Sequence, residues 1–193
     1  NVIDLLADNA ILRDYIDEKA HLDIFTQVLL KNPLYYGIYT GGSDGSFFEV
    51  INLNTSDVAR KKLHALPTDR WLIITVRRGE NGLERHYRYL DENLQLRVSR
   101  SEPTDFDVRS RPWYTAALAS DEVQNTETYI FAQLGVPGRT LSKRLKGSET
   151  VVAIDMTMAT ISEFLSEPAI SKHGDIYLFT GDGQIMASST NPQ

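Results

Sequence analysis

The chain has 193 residues, 41% hydrophobic and 24% charged, with a formal net charge of −6 and no cysteine. This is the composition of an ordinary folded domain, large enough to bury its own core. It excludes disulfides, thiol catalysis and cysteine-based zinc sites, offers no basic footprint for nucleic acid, and argues against anionic membranes.

The first thirty residues carry Leu5, Leu12, Tyr15, Leu22, Phe25 and Leu29 at spacings of seven, three and four. Asp4, Asp8, Asp14, Glu18, Lys19 and Asp23 fall mostly off that stripe. The pattern predicts one long amphipathic helix ending before Pro33, about 45 Å long at about 1.5 Å per residue. Its stripe is expected to pack on a sheet. No run approaches the roughly 18 uninterrupted apolar residues of a membrane span, and no signal peptide is visible. Asn1 reads as mid-helix and Gln193 follows directly on a strand, so both ends are expected to be cuts within a longer protein.

From Tyr35 the period turns strand-like. Residues 35–40 and 47–53 flank the turn-rich Gly41-Gly42-Ser43-Asp44-Gly45 and read as a hairpin. Residues 56–66 form a short amphipathic helix stopped by Pro67, and 71–78 an apolar strand. Turns at Glu80-Asn81-Gly82 and Asp91-Glu92-Asn93 bound strands over 84–90 and 94–99. A short helix is expected over 112–119, and a second hairpin over 128–133 and 140–145 around Gly135-Val136-Pro137-Gly138. A buried strand over 150–154, a helix over 157–166 and a hairpin over 175–180 and 184–189 complete the chain. Successive hairpins with interposed helices define an α+β fold on an antiparallel sheet, not βαβ units. The last hairpin looks like the opening of a second sheet module.

No Gly-rich phosphate loop, GxSxG elbow or HExxH motif occurs. His21, His64, His86 and His173 are scattered singly and read as ordinary polar residues. Asp182, in Thr-Gly-Asp-Gly-Gln, resembles part of a calcium loop, but EF-hand spacing is absent and the segment reads as a hairpin turn. The informative stretch runs from Phe106 to Ala117. Pro112 is placed to open a helix, whose start offers free backbone N–H groups. Arg111 adds a guanidinium fork suited to a carboxylate, and Trp113 and Tyr114 add aromatic walls with polar tips. Together these suit a pocket for a small carboxylate. A structural reading is equally open, with Arg111 paired to Asp105 or Asp107 and Trp113 as plain core.

The run Arg109-Ser110-Arg111-Pro112-Trp113-Tyr114-Thr115-Ala116-Ala117 resembles the RxRPWYxxA hallmark of double-Cache sensor domains. Glu127-Thr128-Tyr129-Ile130, Thr140-Leu141-Ser142-Lys143, Thr150-Val151-Val152-Ala153-Ile154-Asp155-Met156, Ile161-Ser162-Glu163-Phe164-Leu165 and His173-Gly174-Asp175 resemble later family segments and follow in the family's order. The resemblance covers the second half of the chain in detail and the first half in layout.

The resemblance implies a spine helix over 1–32, a membrane-distal PAS-like ligand-binding lobe over 33–160, and a connecting helix with the start of an incomplete membrane-proximal lobe over 161–193. It implies an extracytoplasmic sensor flanked by transmembrane helices outside this chain, homodimeric in the full receptor, with no cofactor, no metal and no catalysis of its own. Such domains serve chemoreceptors, cyclic-nucleotide enzymes and histidine kinases, and the kinase is the output expected here. The ligand class implied is an amino acid, an amine or a small carboxylate. Arg111, Trp113 and Tyr114 would hold the carboxylate, Tyr129 would line the pocket, and Asp155 would take the ammonium. Amino-acid binders of the family carry Tyr five residues before the hallmark Arg, where this chain has Phe106. Asp155 also suits capping of the helix expected from Thr157, and Tyr129 suits a plain strand aromatic. The alternative is an interaction or dimerisation module with a vestigial pocket.

Overall fold

The computed structural model describes residues 1–13, 17–80, 82–131, 134–161, 177–179, 183 and 185–188. Strands β1 (Gly37–Gly41), β2 (Phe47–Asn52), β3 (Trp71–Gly79), β4 (Gly82–Leu90), β5 (Leu96–Pro103), β6 (Gln124–Asn125), β7 (Tyr129–Ile130), β8 (Pro137–Arg144) and β9 (Val151–Thr157) share one sheet. Its order is β5-β4-β3-β2-β1-β9-β8-β6, with β7 also on β8, and every pairing is antiparallel. Strands β10 (Tyr177–Phe179) and β11 (Ile185–Ser188) form a separate antiparallel pair. The helices are α1 (Val2–Asp8), α2 (Glu18–Lys31), α3 (Asp57–Lys62) and α4 (Pro112–Leu118).

The central strands are buried on both faces, and their period-2 alternation sorts the side chains. Ile38, Phe48, Val50, Ile73, Val152 and Ile154 pack with Ile3, Leu6, Phe25 and Leu29 of the N-terminal helices. Tyr39, Phe47, Ile51, Leu72, Val151 and Ala153 face the other way, onto Val108, Trp113 and Tyr114 of the crossover between β5 and β6. Each fully buried Leu, Ile or Phe contributes about 1.5–3 kcal/mol, so these two layers hold the sheet. The crossover can lie close because of Gly41. A Cβ there would meet Val108 Cγ2 at 2.3 Å and Trp113 Cη2 at 2.9 Å.

The N-terminal segment is not one unbroken helix. Asn9 closes α1 in an extended conformation (φ −72°, ψ 116°), and its side chain accepts from Ile11 N, opening a 3₁₀ turn over Ala10–Arg13. Asp17 then caps α2 by accepting from Ala20 N. Asn and Asp side chains compete for nearby backbone N–H groups, and here they win over continuation of the apolar stripe. Leu5 is accordingly exposed, and Ile3, Leu6 and Ala7 supply the buried face instead. Tyr15 lies outside the described residues.

Two strand boundaries also differ from the sequence pattern. Leu94 sits at φ +61°, in the left-handed region, so it belongs to the turn and β5 begins at Leu96. Thr157 is the last residue of β9 and accepts from Thr160 N through its Oγ1, capping a helical turn over 158–161. The rest of the helix expected over 157–166 lies outside the described residues, as does Asp182. Among the described residues, no helix is long and apolar enough to cross a membrane.

Candidate functional site

On the crossover side of the sheet lies a pocket of about 500 Å³, mouth included. It is lined by residues brought together from five places in the chain. Strand β1 and the residue before it give Tyr39 and Tyr36, β2 gives Phe47 and Glu49, and β9 gives Asp155. The crossover gives Phe106, Arg111 and Trp113, and the β7–β8 hairpin gives Tyr129, Phe131 and Leu134. A concave, mostly aromatic lining with a few charged groups is the character of small-molecule sites.

The aromatic walls interlock. The Trp113 ring meets Tyr39 edge-on at 4.8 Å, and Phe47 lies 5.4 Å from Tyr39 and 5.0 Å from Phe106. The guanidiniums of Arg85 and Arg111 lie 5.3 and 5.5 Å from the Phe106 ring centre, within cation–π range. Ser142 donates to the Trp113 carbonyl at 2.8 Å, tying α4 to β8.

Two carboxylates are buried in this setting. Asp155 Oδ1 accepts from Tyr39 Oη at 2.8 Å and from Thr140 Oγ1 at 2.6 Å, while Tyr129 Oη lies 2.7 Å from the same Thr140 hydroxyl. Burial pushes the Asp155 carboxyl up to about 7, against the pull of its two hydroxyl donors. Glu49 is pushed up to about 8, by burial first and by the neighbouring Asp155 second, with Arg85 opposing. Burial also raises Tyr129 to about 12, where Asp155 and Arg111 act in opposite senses.

Arg111 sits half-buried at the start of α4, and its side chain makes no ion pair or hydrogen bond among the described residues. Asp107 is paired instead with Arg109, at 2.8 Å, so Asp105 and Asp107 do not engage Arg111. Phe106, Arg111, Trp113, Tyr129 and Asp155, widely spaced in sequence, thus converge on one cavity. Tyr114 does not join them. Its ring packs against Trp113 at 5.8 Å, and its hydroxyl donates to the Glu149 carbonyl at 2.8 Å. Capping at the end of β9 is done by Thr157, not Asp155.

Sequence reasoning missed Glu49, Tyr36, Tyr39 and Thr140. Glu49 did leave a signal, an acid inside the strand Phe47-Phe48-Glu49-Val50-Ile51, on the same face as Phe47 and Ile51. No group of three or more His, Asp or Glu suited to a metal ion occurs among the described residues.

No family model matches the chain. Adenylate cyclase 1 of Rhizobium meliloti is 30% identical over 186 residues, covering 93% of this chain and 25% of that protein. The methyl-accepting chemotaxis protein McpB of Bacillus subtilis is 30% identical over 108 residues, covering 55% of this chain and 16% of that protein. The chain therefore spans a quarter or less of these relatives. Among solved structures, the ligand-binding domain of the Pseudomonas fluorescens chemoreceptor CtaA, in complex with L-serine, matches with a TM-score of 0.53 and 21% identity. That match covers 96% of this chain and 60% of the solved one. The chain has a Cache-type, PAS-like fold, that of chemoreceptor ligand-binding domains.

Proposed function

We propose that this chain is the extracytoplasmic ligand-sensing domain of a transmembrane signalling receptor, and that it binds a small molecule bearing an amino group and a carboxylate. The observation that carries this reading is a guanidinium, Arg111, with no ion pair among the described residues, lining the same aromatic pocket as a buried carboxylate, Asp155. A zwitterion gives each of those charges its partner and avoids the cost of leaving either unpaired. Arg111 takes the ligand carboxylate in a bidentate grip, and Asp155 takes the ammonium. Phe106 and Trp113 wall the cavity. Tyr129 holds the Thr140 hydroxyl toward Asp155, and Tyr114 supports Trp113 from behind.

The CtaA domain in complex with L-serine, which shares the fold, supports an amino acid or close analogue as the ligand class. The domain occupies the membrane-distal lobe, 33–160, with 161–193 opening a proximal lobe, and acts in the full receptor as a homodimer. Ligand binding shifts the domain between two states that it binds unequally. The output expected from sequence was a histidine kinase, whereas the two relatives above are a cyclase and a chemotaxis receptor.

Thermal melts with L-amino acids, their decarboxylated amines and their deaminated acids test this function. At about 100-fold excess over Kd, a true ligand adds about 2.7 kcal/mol, a shift of roughly 5–10 °C for a domain of this size. Zwitterions are expected to give the largest shifts. A panel with no shift for any member would overturn the reading.

A further inference from the structure

The Arg111–Asp155 pair leaves one buried group without a role. Glu49 is only 5% exposed and lines the pocket, yet its carboxylate has no hydrogen bond or ion pair among the described residues. Its strand position sets its direction. Glu49 stands opposite Tyr39 on β1, and the next inward-facing position along β1 is Gly37, which stands opposite Asp155. A Cβ at Gly37 would lie 3.3 Å from Glu49 Oε1, so the missing side chain is what lets this carboxylate lie across β1 toward the Asp155 row.

Two further unmet groups border the same space. The Tyr36 hydroxyl is buried with no hydrogen-bond partner, and both Glu49 and Asp155 act on it electrostatically. Asp155 receives both of its donors on Oδ1, leaving Oδ2 without one among the described residues. The Glu49 carboxylate, Asp155 Oδ2 and the Tyr36 phenol oxygen, with no protein donor to these atoms among the described residues and all lining one pocket, suit donors of positive charge.

We propose that Glu49 and the Tyr36 hydroxyl, beside Asp155, form a second cation subsite, so that the preferred ligand carries one carboxylate and two cationic nitrogens, as a basic amino acid does. The inference rests on the amino-acid reading above and narrows it. Charge balance points the same way. The pocket lining holds one cation, Arg111, and two acids, so with both acids ionised a plain zwitterion leaves one of them without a countercharge. Arg85 is the cation that acts on Glu49, but it does not line the pocket, and its guanidinium lies against Glu102 at 4.0 Å and Tyr87 Oη at 3.4 Å. An ammonium has three donors, enough for the Glu49 carboxylate and the Tyr36 phenol oxygen at once, with Asp155 left to the α-ammonium. Burial raises both acids, which fits groups that hold protons when the pocket is empty and give them up to a ligand cation.

The test is calorimetric titration of wild type and Glu49→Gln with L-lysine and with L-norleucine, which has the same carbon chain without the terminal ammonium. Wild type is expected to bind lysine at least about tenfold more tightly than norleucine, and Glu49→Gln to abolish that preference by weakening lysine alone. Norleucine binding as tightly as lysine, or a preference that survives Glu49→Gln, overturns the second subsite and leaves the amino-acid reading standing. If neither compound nor any other L-amino acid binds, both readings fall. Should Glu49→Gln not fold, the wild-type ratio decides alone.

Discussion

Tyr39 and Asp155 meet across the seam between β1 and β9, the Tyr39 hydroxyl donating to Asp155 Oδ1 at 2.8 Å. This seam joins the sheet's first and last strands in sequence, so a residue of the first hairpin fixes the carboxylate of the last strand. One oxygen of Asp155 is held in place, and the other has no donor among the described residues.

Asp155→Asn separates these two tasks. The amide oxygen still accepts from Tyr39 and Thr140, but the charge is gone. Affinity for an ammonium-bearing ligand should fall by about 2–5 kcal/mol, the cost of leaving one charge of a buried pair unmet. The unliganded variant should melt no lower than wild type near neutral pH, because a desolvated charge has been removed. Calorimetry and a melting curve on the same sample check both parts. Retained affinity would mean that the ammonium sits elsewhere.

The buried acids give the unliganded fold a defined pH dependence. Their folded-state pKa values are raised, to about 7 for Asp155 and about 8 for Glu49. Stability from these groups is therefore fully present below their unfolded values near about 4, and is lost as pH rises through about 7 and then about 8. Glu49→Gln should match wild type in melting temperature near about pH 4 and exceed it near about pH 9, by about 1–3 kcal/mol of stability. Affinity for a cationic ligand should run the other way, strengthening as pH rises toward about 8 and the acids ionise. Equal pH profiles for the two proteins would contradict the burial of an unpaired Glu49.

Phe106 tests the carboxylate end. It lines the pocket, with the Arg111 guanidinium 5.5 Å from its ring centre. Phe106→Tyr adds a hydroxyl on the side where Arg111 is assigned to hold the carboxylate, and a hydrogen bond to a charged group contributes about 1.5–3 kcal/mol. Affinity for an α-amino acid should rise roughly 10- to 100-fold. Weaker binding in the same titration would place another chemical group beside residue 106.

Gly41 tests how the crossover is seated. A side chain there collides with Val108 and Trp113. Gly41→Ala should cost about 1–3 kcal/mol and weaken ligand binding as Trp113 shifts. A melting temperature and affinity equal to wild type would show that the crossover moves freely over β1.

Much of the fold was legible because hairpins are local. Turn residues between alternating strands fix the β1–β2, β3–β4 and β4–β5 pairs without reference to distant contacts. The β1–β9 pairing was not legible, since nothing local marks Gly37 and Asp155 as partners. The helix break at Asn9 escaped the apolar stripe because capping by Asn9 and Asp17 is decided by single side chains, not by periodicity. In the site, Arg111, Trp113 and Asp155 stood out through their family-like motifs. Tyr114 was assigned to the carboxylate from the same motif as Arg111 and Trp113, but adjacent helix residues point in different directions, and Tyr114 turns to the Glu149 backbone. Glu49 was passed over because its strand reads as simply apolar.

The most direct measurement of amino-acid sensing is calorimetric titration of wild type and Arg111→Ala with the L-amino acids. Arg111 makes no ion pair or hydrogen bond within the described chain, so its removal should leave melting near wild type. At least one amino acid should saturate wild type at one site per chain, and Arg111→Ala should weaken it by about 30-fold or more. Equal affinity in the two proteins, or no amino acid that binds wild type, would contradict a pocket built around the Arg111 guanidinium.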